Sequence, residues 1–250
     1  HYMIVILLGG SACGKNVIAK CLVRGAIAQN PYEKVPTESC SRLIGITTRP
    51  KRLSEQDGVD YNFVSKEQFL QLIYNDKLFE YRKYNVLVDG TPDVWYYGFP
   101  KTELDLTRNY VVVADVDGAK RFISRYGAEN CYVVFVFMSD GEREYRAKNQ
   151  GFFDKSEWVR RNSDDIVKLS SKEVLPICDQ YYCNDGMDYR NYIDISSIII
   201  GMIAKRDGIR YMSMNETMDS IRNHLDLLPL DVISGLCETW NKRVSPHKKI

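Results

Sequence analysis

The sequence predicts an α/β protein: a doubly wound parallel sheet, an inserted mixed or antiparallel β subdomain, and a helical cover. Three observations carry this prediction. The opening run "MIVILLGG" closes on glycines and leads into "GKNVIAKCLVRGAIAQ", where Val17, Ile18, Cys21, Leu22 and Ala26 recur at helical spacing. "YVVVADVDGAKRFISRYG" and "CYVVFVFMSDGEREYRAKNQ" repeat the succession, and apolar strands alternating with helices imply a parallel sheet covered on both faces. Residues 43–100 break the rhythm with short β-rich pieces ("GITT", "VDYNFV", "LFEYRKYNVLV", "DVWYYGF"), turns at "QDG" and "DGTPD", and a single helical patch, "SKEQFLQLIYN".

In chain order, the first feature is "GGSACGKN", residues 9–16. It follows the phosphate-loop pattern G-x-x-x-x-G-K-[ST] up to its last letter, in the strand-to-helix context that gives the pattern meaning. Gly9, Gly10, Ser11, Ala12, Cys13, Gly14, Lys15, Asn16 and Val17 are therefore expected to cradle a nucleotide's phosphates with backbone N–H groups and a helix N-terminus. Lys15 would reach the outer oxygens. Asn16 replaces a hydroxyl that touches magnesium, and its amide oxygen is also a hard neutral donor, so it is the candidate Mg²⁺ ligand.

Further along, the strand run 110–114 ends at Asp115, and strand ends of open α/β sheets are where ligands bind. Asp117 is expected to be the N-cap of the next helix. From Asp140 to about Lys172 the chain is charged and mostly helical, which suits a cover better than a core. Beyond about residue 186, "DISSIIIGMIAKRDG" and "NETMDSIRNHLDLL" suggest further helices or an edge strand without visible chemistry.

The 250 residues carry 34 basic and 33 acidic side chains, a net charge of +1, so no global field recruits nucleic acid or an anionic membrane. No apolar run approaches a membrane span, and the apolar opening is too short for a secretory signal. Seven cysteines without a C-x-x-C pair read as reduced thiols, and the expected location is cytoplasmic. The three histidines, His1, His224 and His247, lie outside every motif, which argues against imidazole catalysis or a histidine zinc site.

The segment "ITTRPKRLSEQDGVDYNFVSKEQF" resembles the guanylate kinases, whose acceptor segment reads T-T-R-x-x-R followed by G-x-D-Y-x-F-V-S. The likeness continues, in the family's order, through "LFEY", "YYGFPKTEL", "VADVDGAK", the arginines around 146 and 161, and "YYCND", covering about residues 4–186. It implies a guanylate-kinase-like domain over 3–186: core from 3–40 and 101–139, a nucleoside-monophosphate-binding subdomain at 41–100, a lid over about 140–165, and a return to the core at 166–186. Residues 187–250 would be an extension of unassigned role.

The resemblance also implies ATP as donor, magnesium, and transfer of the γ-phosphoryl group to GMP or dGMP, giving GDP or dGDP. Arg49 and Arg52 would grip the acceptor phosphate as planar forks, helped by the Tyr61 and Tyr97 hydroxyls. Glu80 would accept hydrogen bonds from the guanine N1–H and 2-amino group, Asp115 would complete the acceptor site, and Gly98 and Phe99 would lie at the base. Arg146 and Arg161 would close over the transferring group.

Four departures stand out. Asn16 replaces the hydroxyl, and Gln150 replaces a lid arginine. Phe99 and Gly45 or Ile46 occupy the places of two hydroxyl residues near guanine O6. The hairpin between Glu80 and "YYG" is roughly eight residues longer than usual, so Asn85, Thr91 or Trp95 are candidates to reach the base. These departures leave open a kinase for a different or modified nucleoside monophosphate, or a catalytically silent binding module.

Overall fold

The computed structural model describes residues 2–24, 40–53, 55–88, 90–149 and 153–184. Gln150, the end of "YYCND" and the extension at 187–250 lie outside them. In chain order the elements are β1 (Ile4–Leu8), α1 (Lys15–Arg24), β2 (Ser41–Arg42), β3 (Ile46–Thr47), β4 (Asn62–Phe63), α2 (Lys66–Tyr74), β5 (Leu78–Val88), β6 (Thr91–Pro100), β7 (Tyr110–Val113), α3 (Val116–Tyr126), β8 (Cys131–Phe137), α4 (Asp140–Lys148), α5 (Lys155–Lys168), α6 (Ser171–Val174) and β9 (Gln180–Cys183). A short 3₁₀ turn at Ala128–Asn130 precedes β8.

Five strands form an all-parallel sheet in the order β2-β7-β1-β8-β9, with Ile4 opposite both Tyr110 and Cys131. Side chains alternate between faces along a strand, and both faces are buried here. Ile4, Ile6 and Leu8 join Val112, Val133 and Phe122 on one side, while Met3, Val5 and Leu7 join Ile18, Leu22 and Val136 on the other. The apolar runs of the sequence are thus continuous because neither face of this sheet meets water.

The insert forms a separate four-stranded sheet in the order β4-β3-β6-β5, parallel only between β3 and β4. Its own small core is Ile46, Phe69 and Leu78 under α2. Ser65 starts that helix with a reciprocal capping box to Gln68. The several β-rich pieces of residues 78–100 are one long hairpin of an 11-residue and a 10-residue strand.

Two local features aim this sheet at the rest of the molecule. The register slips between Leu78 and Glu80, so Phe79 is the extra residue of a β-bulge and Glu80 pairs with Phe99. Phe79 and Phe99 both pack edge-on against Phe122 of α3, at ring separations of 4.9 and 5.4 Å. Phe99 therefore has a core role as well as a place beside Glu80. The cap of α3 differs from expectation: the Asp115 carboxylate accepts from Gly118 N–H at 2.9 Å, and Asp117 sits in the first turn. Asp115 takes this place because its extended backbone, at the strand's end, lets the side chain fold over the helix's free N–H groups.

The helical cover is two helices, α4 and α5, N-capped by Ser139 and Asp154. None of the described helices is long and apolar enough to cross a membrane.

Candidate active site

The loop of residues 9–16 runs from the end of β1 into α1. A Cβ at Gly9, where φ is +140°, would lie 2.1 Å from the Val136 carbonyl oxygen, so only glycine lets the loop lie on β8. Ala12 holds φ at +62°, a left-handed conformation that costs a non-glycine residue about 1–2 kcal/mol. The groups expected to meet phosphate are bonded within the chain. Lys15 Nζ donates to Gly9 O at 2.8 Å and Gly10 O at 2.6 Å, and Ser11 N–H donates to Asp165 Oδ2 at 2.6 Å.

Asp165 comes from α5, and Arg143 of α4 fastens it there. The Arg143 guanidinium donates to Asp165 Oδ2 at 2.6 Å, to Ser11 O at 2.8 Å and to Asn162 Oδ1 at 2.9 Å, and lies over the Trp158 ring. It is 7% exposed and fills the space above Gly10, where a Cβ would come within 2.7 Å of it. The amide of the fully buried Asn184 donates to Cys13 O at 2.8 Å. Asn184 lies in the "YYCND" stretch without having been singled out, and Asp165 had no motif to mark it.

Asn16 Oδ1 accepts a hydrogen bond from Arg42 Nη2 at 2.9 Å, so the oxygen expected to face magnesium meets a guanidinium. Arg42 also lies 3.9 Å from Asp60, which pairs with Lys20 at 2.8 Å. Burial lowers the Arg42 pKa against the pull of Asp60. Among the described residues no cluster of three or more His, Cys, Asp or Glu is arranged to hold a metal.

Across from the loop, Arg49 is 5% exposed and its Nη2 donates to Glu55 Oε1 at 2.7 Å. The other Glu55 oxygen accepts from the Arg52 backbone N–H at 2.8 Å. Burial alone would raise the Glu55 carboxyl, but these bonds outweigh it and hold the pKa below the ordinary value. Tyr61 and Tyr97 stand edge to face at 6.0 Å, with the Arg49 guanidinium 5.8 Å from the Tyr61 ring centre. Arg52 has no ion pair among the described residues. Burial lowers its pKa, and so do the neighbouring charges of Arg49 and of Arg161 on α5.

The arginines of α4 and α5 expected to close over the transferring group are held by acids of their own helices. Arg161 donates to Glu157 at 2.8 Å and Arg160 grips the same carboxylate with two nitrogens. Arg146 bonds Glu142 at 3.1 Å and reaches Asn184 O at 3.3 Å. The long hairpin leans on this lid, with Lys168 Nζ 4.2 Å from the centre of the Tyr84 ring. Thr91 lies at the hairpin's far tip, opposite Val88, about 27 Å along the strand from Phe99. Asn85 pairs with Val94 and the Trp95 indole donates to Asp93; within the extra length Tyr84 meets both α5, through Lys168, and the Glu80 end, through Asp115 at 2.6 Å.

A glycine loop opening a helix, an arginine-bearing sheet across from it and a helical lid over both define a P-loop phosphotransferase of the nucleoside monophosphate kinase class. The sequence profile of the guanylate kinase family matches residues 2–138. Guanylate kinases from Helicobacter hepaticus (strain ATCC 51449 / 3B1) and Latilactobacillus sakei subsp. sakei (strain 23K) are 35% and 30% identical to this chain. The alignments cover 68% and 75% of it and 72% and 79% of those proteins. The crystal structure of guanylate kinase from Anaplasma phagocytophilum superposes with a TM-score of 0.53 at 20% identity, covering 87% of this chain and 94% of that one. This chain belongs to the guanylate kinase family and is a phosphotransferase.

Proposed function

We propose that the chain transfers the γ-phosphoryl group of ATP to GMP or dGMP. The observation that carries this reading is Arg52: a guanidinium without an ion pair among the described residues, next to the buried Arg49–Glu55 pair whose carboxylate accepts its backbone N–H, and within the field of Arg161. Like charges gathered in a partly buried place are stabilised by an anion, and the acceptor phosphate is the anion that fits. In this reading Arg49, Arg52, Tyr61 and Tyr97 bind that phosphate, the 9–17 loop and Lys15 hold ATP, and Arg146 and Arg161 leave their glutamates to meet the transferring group. The acceptor oxygen is already anionic near neutral pH, so attack needs no strong base; catalysis rests on in-line positioning and charge stabilisation.

Magnesium would enter with ATP as the Mg·ATP substrate, where its chemistry would be to neutralise phosphate charge. Asn16 Oδ1 is the side-chain oxygen offered to it, at the expense of the Arg42 bond. The division into a core, a 41–100 acceptor subdomain and a lid from about 140 to 165 completes the proposal.

A coupled assay of ADP release with ATP, Mg²⁺ and each of GMP, dGMP, AMP, UMP, CMP and dTMP tests it. Turnover on GMP and dGMP is expected; turnover confined to another nucleotide, or none with the protein folded, overturns it. Because Asp165 occupies the Ser11 N–H that ATP needs, Asp165→Asn is expected to lower KM for ATP by ~3- to 10-fold. Initial rates against ATP concentration check this. A raised KM would mean that the carboxylate braces the loop and does not compete with phosphate.

A further inference from the structure

The face of β5 that carries Glu80 also carries Arg82 and Tyr84, opposite Phe99, Tyr97 and Trp95. Glu80 is 2% exposed, and Arg82 Nη1 donates to its Oε1 at 2.7 Å. Arg82 Nε lies 2.9 Å from Asp115 Oδ2, and Tyr84 OH donates to the same oxygen at 2.6 Å. A fifth of the Arg82 side chain remains exposed. Burial pushes the Glu80 carboxyl up against the pull of Arg82, and it pushes the Tyr84 hydroxyl well above its ordinary range.

Neither Phe99, directly opposite Glu80, nor Gly45, just before β3, carries a side chain that can donate to a base. Phe99 offers only ring carbons. At Gly45 a Cβ would come 3.2 Å from Gly98 O and 3.4 Å from the Phe99 ring, so the space a hydroxyl side chain would use is taken. The groups next to one another on this face are the Glu80 carboxylate and the Arg82 guanidinium. Together they present an acceptor next to a donor, the complement of a ring N–H next to a carbonyl oxygen. In a purine that edge is N1–H and O6 of a 6-oxopurine; a 6-aminopurine presents the reverse.

We infer that Arg82 is a specificity-determining residue that donates to O6 of a 6-oxopurine nucleotide while Glu80 accepts from N1–H. The inference rests on the acceptor-site reading above and adds the residue that distinguishes the base. It supplies the donor that Gly45 and Phe99 lack.

The test compares kcat/KM for GMP and for 6-thioguanosine monophosphate, which differ at the one atom Arg82 would read, in the full chain and in its Arg82→Met and Arg82→Lys variants. The wild type should prefer GMP by ~10- to 100-fold, the scale of one hydrogen bond to a charged group. Arg82→Met should lose that factor on GMP alone, bringing the two substrates within about threefold, and Arg82→Lys should keep part of the preference, with KM for ATP unchanged. An equal loss on both substrates would make Arg82 a mere brace for Glu80 and Asp115 and overturn the inference. A wild type that treats both nucleotides alike overturns it without any variant, which covers the case in which Arg82→Met fails to fold. A wild type inactive on GMP brings down the function reading first, before the variants are compared.

Discussion

Lys15→Ala is expected to lower turnover with ATP and GMP by about a thousandfold or more, because it removes the cation that follows charge onto the transferring phosphoryl group. The loss should fall on kcat, and far-UV circular dichroism and melting temperature should be unchanged. The Lys15 ammonium donates to Gly9 O and Gly10 O, six and five residues back in the same loop, so its removal leaves the sheet core untouched. These bonds also give Lys15 a resting place from which phosphate draws it. Turnover within tenfold of wild type would remove Lys15 from the mechanism.

Arg49→Ala should cost both activity and stability, and the two effects separate by pH. As a ligand of the acceptor phosphate, Arg49 is expected to contribute about a hundredfold or more in kcat/KM for GMP. As the partner of Glu55 it neutralises a carboxylate whose side chain is 7% exposed, and breaking a buried pair by removing one partner costs about 3 kcal/mol. The wild-type Glu55 pKa lies below its ordinary 4.5, so its contribution to stability is present above that value and is lost as pH falls through the depressed folded value. Without Arg49, two of the four influences that hold this carboxyl down are gone and only those of Arg52 remain against burial, so the variant keeps less of this pH-dependent stability. Urea denaturation should show the largest gap between the two proteins near pH 7, narrowing below about 4.5. A gap independent of pH would place the destabilisation elsewhere than at Glu55.

The legible part of this protein was what local patterns encode. Val111, Val112, Val133 and Val134 announce buried strands because both sheet faces are covered, and 9–16 announces a phosphate loop because few sequences combine two glycines and a lysine between a strand and a helix. Arg49, Arg52, Tyr61 and Tyr97 were legible through a motif, and the structure gathers Glu55, Tyr61 and Tyr97 around Arg49, with the Arg52 backbone on the same carboxylate. Asp165 was not, because a carboxylate in a charged helix reads like any other solvated residue; its meaning comes from Ser11, 154 positions away. Arg82 was hidden for a similar reason. A charged residue in an alternating hairpin strand looks solvent-facing until the bulge at Phe79 shows which face turns inward.

The sequence by itself determined the sheet-and-helix alternation, the place of the glycine loop and the inserted β subdomain, because strand burial, helical spacing and positive φ act over a few residues. The tertiary structure alone decided which groups meet at the site: Asp165 on Ser11, Arg42 on Asn16, Arg82 between Glu80 and Asp115. The physical reason is that a hydrogen bond or ion pair depends on distances of about 3 Å between segments far apart in the chain. Those distances follow from how α5, β2 and the long hairpin pack on the sheet.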